Sequence, residues 1–246
     1  MPCLRRPARR SFAVGAALVA LASGCGGGGG ASSASSTTLV TAPVSTTVPP
    51  PGVNQLKAIV IQPGDLPTGW KASPASPPAD PRANAADFAQ CMGAIDTLKD
   101  AAALAYSTNF ASAASVISSA GISFKYAADV QADAASLGNP LASECFAKVG
   151  KARLIATLPK SVTVKSVALK ITPGQGNGPA AVVATATGTV VFSSAGHTLT
   201  LKNEVVFLAV RRVEVQIAFY STGNPVPESV KAAVVKAVAA RMANAS

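Results

Sequence analysis

The chain has 246 residues, with 21 Lys and Arg against 11 Asp and Glu, and is 49% hydrophobic but only 13% charged. Arg5, Arg6, Arg9 and Arg10 crowd into the first ten positions; the remaining 17 basic residues against 11 acids reduce the formal charge of +10 to +6. So sparse a charge excludes the dense Lys and Arg surface of a nucleic-acid binder.

The basic stretch MPCLRRPARR, the short apolar run AVGAALVALA and the small residues after it follow the plan of a secretory signal over residues 1–24. About ten apolar residues are too few to cross a hydrocarbon layer of about 30 Å, so the run is a signal and not a permanent anchor. Leu21-Ala22-Ser23-Gly24-Cys25 resembles the lipobox of bacterial lipoproteins. The resemblance implies a lipidated Cys25 as the new N-terminus, on the extracytoplasmic face of the cell membrane. Ala22 stands where Leu is usual, so ordinary secretion is the alternative. Arg9-Arg10-Ser11-Phe12 also resembles the twin-arginine motif, and the export route stays open.

Residues 25–52 contain almost no large apolar side chain and are expected to be a flexible tether of Gly, Ser, Thr and Pro, reaching roughly 30 Å. Its Ser, Thr and Pro resemble O-glycosylated stalks as much as a plain linker. Residues 53–246 are then a single domain, long enough to bury its own core.

That domain opens on one helical piece, NQLKAIVI, followed by turns in PGDLPTGW; Trp70 is expected in the core. Phe88, Met92 and Ile95 have helical spacing from Asn84 to about Lys99, running into an Ala-rich stretch. The β-favouring run ASVISSAGISF predicts the first strand. Two helices should follow on either side of Gly138-Asn139-Pro140. Four β-rich stretches from Ser161 to Ser221, joined by short turns, predict an antiparallel meander with one face covered. The closing segment VPESVKAAVVKAVAARMA carries Val230, Val234, Val235 and Val238 as an apolar stripe, opposed by Lys231 and Arg241. The fold class is α+β: about five strands packed by helices on one face.

Cys91 and Cys145 are the two cysteines left after processing, and outside the cytoplasm such a pair is expected to be oxidised. On the chain-entropy account, closing a loop of about 54 residues stabilises by roughly 4 kcal/mol. No CxxC spacing or His cluster suggests redox chemistry or a metal site, and no cofactor is implied. His197, the sole His, falls at a predicted hairpin with no nucleophile elbow in the chain. Gly174, Gly176 and Gly178 read as a hairpin loop, since no helix or Lys follows as a phosphate loop requires. Asp96 with Asp100 and Asp129 with Asp133 read as solvated helix faces; Glu204 and Glu214 read as partners of Arg211, Arg212 or nearby lysines.

Lys148, Lys151, Arg153, Lys160, Lys165 and Lys170 occur without an intervening acid. Lys148, Lys151 and Arg153 are the candidate contact for anionic lipid, at about 1 kcal/mol per charge near a membrane. A plain solvated face is the competing reading.

The lipobox, tether, PGDLPTGW, the Cys-bearing helix DFAQCMGA, AADVQADAASL followed by ECF, the meander and the terminal helix together resemble a family of actinobacterial cell-envelope lipoproteins. They are similar, more distantly, to extracellular sensor domains of mycobacterial membrane kinases. The resemblance implies an α+β sandwich, on the lines of the PsbP/Mog1 architecture, and a structural Cys91–Cys145 disulfide. It also implies a noncatalytic binding or accessory module for lipid, glycolipid or an envelope protein. A sensor or scaffold that binds peptides at a strand edge is the alternative, and a hydrolase built around His197 the third.

Overall fold

The computed structural model describes residues 48–75, 81–174 and 180–245. The expected signal, Cys25, most of the tether, Gly176 and Gly178 lie outside the described residues. The helices are α1 (Val53–Ile59), α2 (Pro81–Met92), α3 (Ala127–Leu137), α4 (Ala142–Thr157) and α5 (Glu228–Ala245). The strands are β1 (Lys71–Ser73), β2 (Ala101–Tyr106), β3 (Asn109–Ser112), β4 (Ser115–Phe124), β5 (Val162–Pro173), β6 (Ala181–Ser194), β7 (His197–Val210) and β8 (Val213–Ser221).

All eight strands form one antiparallel sheet in the order β1-β3-β4-β8-β7-β6-β5, with β2 also paired to β4. β2 and β3 share one edge of β4: Tyr106 lies opposite Ala120 and Phe110 opposite Ile117. The expected mixed α+β class and the β5–β8 meander are present. The Ala-rich stretch AAALAY, into which a helix from Asn84 to about Lys99 is expected to run, is β2, because pairing with β4 and burial of Ala101 and Ala105 override the helix preference of alanine. The helical stripe ends at Met92 because Gly93 follows in the left-handed conformation, φ 64°, and Ile95 is exposed.

The expectation of helices on one face is also corrected. α1 and α5 pack Leu56, Ile59, Val234, Val238 and Met242 against Ile117, Val215 and Ile217. On the other face, α2, α3 and α4 pack Phe88, Leu137, Phe146 and Val149 against Ala120, Phe207 and Ala218. β8 lies between the two layers and all nine of its residues are buried. α1 crosses β4 at Gly121, where a Cβ would stand 3.1 Å from Val60 Cγ1. Trp70 is partly buried against the α1–α5 layer.

The charged residues read as the outer side of α5 are drawn inward. Arg241 donates through both terminal nitrogens to Asp65, at 2.8 and 2.6 Å, and to the carbonyls of Ile59 and Val60. Where the described chain begins, Arg212 donates to the carbonyls of Val48 and Pro49 and Ser123 to that of Pro51, so residues 48–51 are tied to the sheet beside the β7–β8 turn.

Candidate functional site

The strands β5, β6 and β7 run beyond the cover that α5 gives them, so part of the sheet face beside the start of α5 is open. Register sets what it presents. Lys170, Thr187, Glu204 and Phe219 stand opposite one another in one row across β5–β8. Ala168, Thr189, Lys202 and Ser221 form the next. Partners directly opposite share a face. These two rows floor a groove of about 450 Å³, walled at the helix end by Pro225, Val226 and Lys231.

Lys231 is 8% exposed and its ammonium lies 2.5 Å from Glu204 and 2.5 Å from Glu228. Burial works to lower its pKa, but the hydrogen bonds and charges of the two glutamates outweigh this and hold it above the ordinary lysine value. The pair fastens the first turn of α5 to β7. The other two lysines of the groove, Lys170 and Lys202, are exposed and have no ion-pair partner among the described residues. With Glu228, which shares Lys231, the groove and its rim carry three lysines against two glutamates, a net charge of +1.

A second cluster is closed to solvent. Asp133 of α3 is 1% exposed, and its Oδ1 accepts from Thr97 Oγ1 at 2.8 Å. Glu214 of β8 is fully buried against it and accepts from Gln216 Nε2 at 3.1 Å. Desolvation pushes the Glu214 pKa well above the carboxylate range, and the charge and hydrogen bond of Asp133 push it further. Both readings of these acids are corrected: Asp133 is not on a solvated face, and among the described residues Glu214 pairs with neither arginine nor lysine. No sequence signal could have joined them, since α3 reaches β8 only by tertiary packing.

Cys91 and Cys145 form a disulfide between α2 and α4, with Cα atoms 5.7 Å apart. Of the candidate lipid contacts, Lys148 and Lys151 stand exposed on α4, whereas Arg153 is half-buried and bonded to Asp87 of α2. The basic run is divided: Lys165 and Lys170 belong to β5, the latter on the groove side of the sheet, away from α4. His197 is exposed at the β6–β7 turn opposite Ser194, apart from the buried acids. Among the described residues no group of three or more His, Cys, Asp or Glu side chains could hold a metal ion, and no helix is long and apolar enough to cross a membrane.

No family model and no curated protein matches this chain. In structure it is similar to the extracellular domain of PknH from Mycobacterium tuberculosis, with 10% identity and a TM-score of 0.37, over 80% of this chain and 96% of that one. A likeness this weak carries no argument about function.

Proposed function

We propose that the chain is a lipid-anchored binding module of the cell envelope, without catalytic activity, whose ligand is a lipid or glycolipid held in the groove beside the start of α5. The observation that carries the reading is the groove itself, an open space of about 450 Å³ whose exposed surface is more apolar than polar, with Lys170, Lys202, Thr187 and Thr189 among the polar groups on its floor. That is the composition of a small-ligand site.

The anchor half of the proposal rests on the lipobox resemblance at Cys25. The groove lies at the Phe219–Ser221 end of β8, while Val48 and Pro49 are bonded to Arg212 at its start. The length of β8 thus separates the ligand site from the chain's entry point by about 25 Å.

Strand addition by a peptide, as a sensor or scaffold would use, has less to work with. The edge strand β1 has three residues, and the edge strand β5 carries a bulge at Lys165 and ends on Pro173. Its Ile171 N–H is already given to Ser143 Oγ at 2.9 Å. Such features guard an edge against pairing.

The test is mass spectrometry of the chain purified from membranes, compared with Cys25→Ala. Expected are a diacylated Cys25 in the wild type, a soluble unacylated variant, and a co-purifying lipid or glycolipid on both. An unacylated wild-type chain overturns the anchor; an empty domain in both proteins overturns the ligand.

A further inference from the structure

Resting on the reading of the groove as a ligand site, we propose that its ligand is an acidic amphiphile, a lipid bearing a phosphate headgroup, whose anion is held between Lys170 and Lys202 over the hydroxyls of Thr187 and Thr189. Lys170 and Lys202 stand on β5 and β7, on either side of β6, which supplies both threonines. Two strands apart and one row offset along them is about 12 Å. Long lysine side chains starting at that separation converge on one anion above β6 without moving the backbone.

Each neighbour bears on the charge that would be accepted. The groove's one lining carboxylate, Glu204, stands across β6 from Lys170 but is bonded to Lys231 at 2.5 Å, and among the described residues no ion pair joins it to Lys170 or Lys202. Lys231 is shared with Glu228 as well and is spent on holding α5. Two exposed ammonium groups beside two hydroxyl-bearing threonines, with no acid among the described residues to pair them, form a site complementary to a phosphate. Most of the surface the groove exposes is nonetheless apolar, and beside Lys231 and the buried Val226 and Phe219 its helix end presents the exposed Pro225. An anion site within a mostly apolar groove describes an amphiphile. The aromatic rings at the groove, Phe219 and Tyr220, are 3% and 1% exposed, so neither offers the open face on which a neutral sugar would stack.

The experiment measures binding of monomeric dioctanoyl phosphatidylglycerol, dioctanoyl phosphatidylcholine and glycerol 3-phosphate to the full mature chain by calorimetry. The variants are Lys170→Glu/Lys202→Glu and, on α4, Lys148→Glu/Lys151→Glu; all four lysines are exposed, so both variants should keep the wild-type melting temperature. Expected is about tenfold or more tighter binding of phosphatidylglycerol than of phosphatidylcholine, since each lysine near an anionic headgroup contributes about 1 kcal/mol. That preference disappears in Lys170→Glu/Lys202→Glu and survives in Lys148→Glu/Lys151→Glu. Equal binding of both lipids, unchanged by the groove variant, overturns the acidic headgroup and leaves a lipid-binding groove standing. Loss of the preference only in the α4 variant moves the anion site off the groove and overturns the proposal. Glycerol 3-phosphate binding as tightly as phosphatidylglycerol removes the amphiphile, and binding of neither lipid removes the groove reading with it.

Discussion

Asp133 and Glu214, brought together from α3 and β8, meet as two carboxyl groups in an interior that offers them no water. No hydrogen-bond donor of the described protein reaches Glu214 Oε2, and a proton shared with Asp133 would satisfy it. Burial and the neighbouring acid raise the folded pKa of Glu214 above its unfolded value. The folded state therefore holds a proton that the unfolded chain releases. Its contribution to stability is complete below the unfolded pKa near 4.5 and is lost as pH rises toward the folded one, at about 1.4 kcal/mol per pH unit for one proton. Glu214→Gln keeps a donor to Asp133 and removes the titration. Urea unfolding from pH 4 to 9 should show stability falling above pH 5 in the wild type and a flatter profile in the variant, which becomes the more stable protein at pH 8. Parallel profiles would show that the pair does not share a proton.

The Asp65–Arg241 pair works in the opposite direction. Burial alone would raise the Asp65 pKa, but the hydrogen bonds from Arg241, the Gln62 N–H and the Arg241 charge outweigh it and lower the value. Its stabilisation is present above the unfolded carboxylate pKa and is lost as pH falls through the folded one. Arg241 also gives its remaining donors to Ile59 and Val60, so it ties the last turns of α5 to the end of α1. Arg241→Ala leaves a carboxylate and two carbonyls without these donors and should cost about 2–4 kcal/mol at neutral pH. Arg241→Lys should recover only part, because an ammonium lacks the fork that meets both Asp65 oxygens. A loss below about 0.5 kcal/mol in Arg241→Ala would mean that the contact is ornamental.

Much of the architecture is written in local pattern. The turns at Ala195-Gly196 and Arg211-Arg212 and the break at Gly138-Asn139-Pro140 fall where short-range chemistry puts them. β8 shows where pattern misleads. Val213, Val215, Ile217 and Phe219 alternate with Glu214 and Gln216, the signature of a strand with one wet face, yet its polar face is sealed under α3. Local alternation records polarity; it cannot record that a distant helix satisfies the polar groups. Lys231 and Arg241 hid for the same reason, since a charged residue on a helix reads as exposed until its partners on another element are known. The groove was equally illegible: its rows exist only through the register of four strands.

The disulfide staples α2 to α4 beside the packed rings of Phe88 and Phe146, whose centroids are 3.8 Å apart. It closes a separation of 54 residues that includes β2, β3, β4 and α3. Cys91→Ser/Cys145→Ser should lose about 2–4 kcal/mol, read as a lower guanidinium midpoint. Adding a reductant to the wild type should lower its midpoint toward that of the variant and leave the variant unmoved. A wild-type midpoint indifferent to reductant, with free thiols verified, would rule out a stabilising role.

Gly188 tests the floor of the groove without touching a charge. It lies in the middle of β6, and a Cβ there would stand 2.7 Å from Asn203 Oδ1 and 2.8 Å from the carbonyl oxygen of Ala168. Asn203 is buried and the carbonyl belongs to the backbone of β5, so neither can yield cheaply. Gly188→Ala should cost about 1–3 kcal/mol and disturb the β5–β6–β7 register that sets Lys170 and Lys202 in adjacent rows. Gly121→Ala meets side-chain atoms alone, Val60 Cγ1 at 3.1 Å and Leu56 Cδ2 and Cβ at 3.6 and 3.7 Å, and should cost less. The same methyl group, placed at two sheet glycines, thus separates a backbone obstacle from a side-chain one. If Gly121→Ala proves the more damaging when both are unfolded in urea, β6 is freer to shift than its neighbours imply, and the groove floor is not the rigid platform that anion binding between β5 and β7 requires.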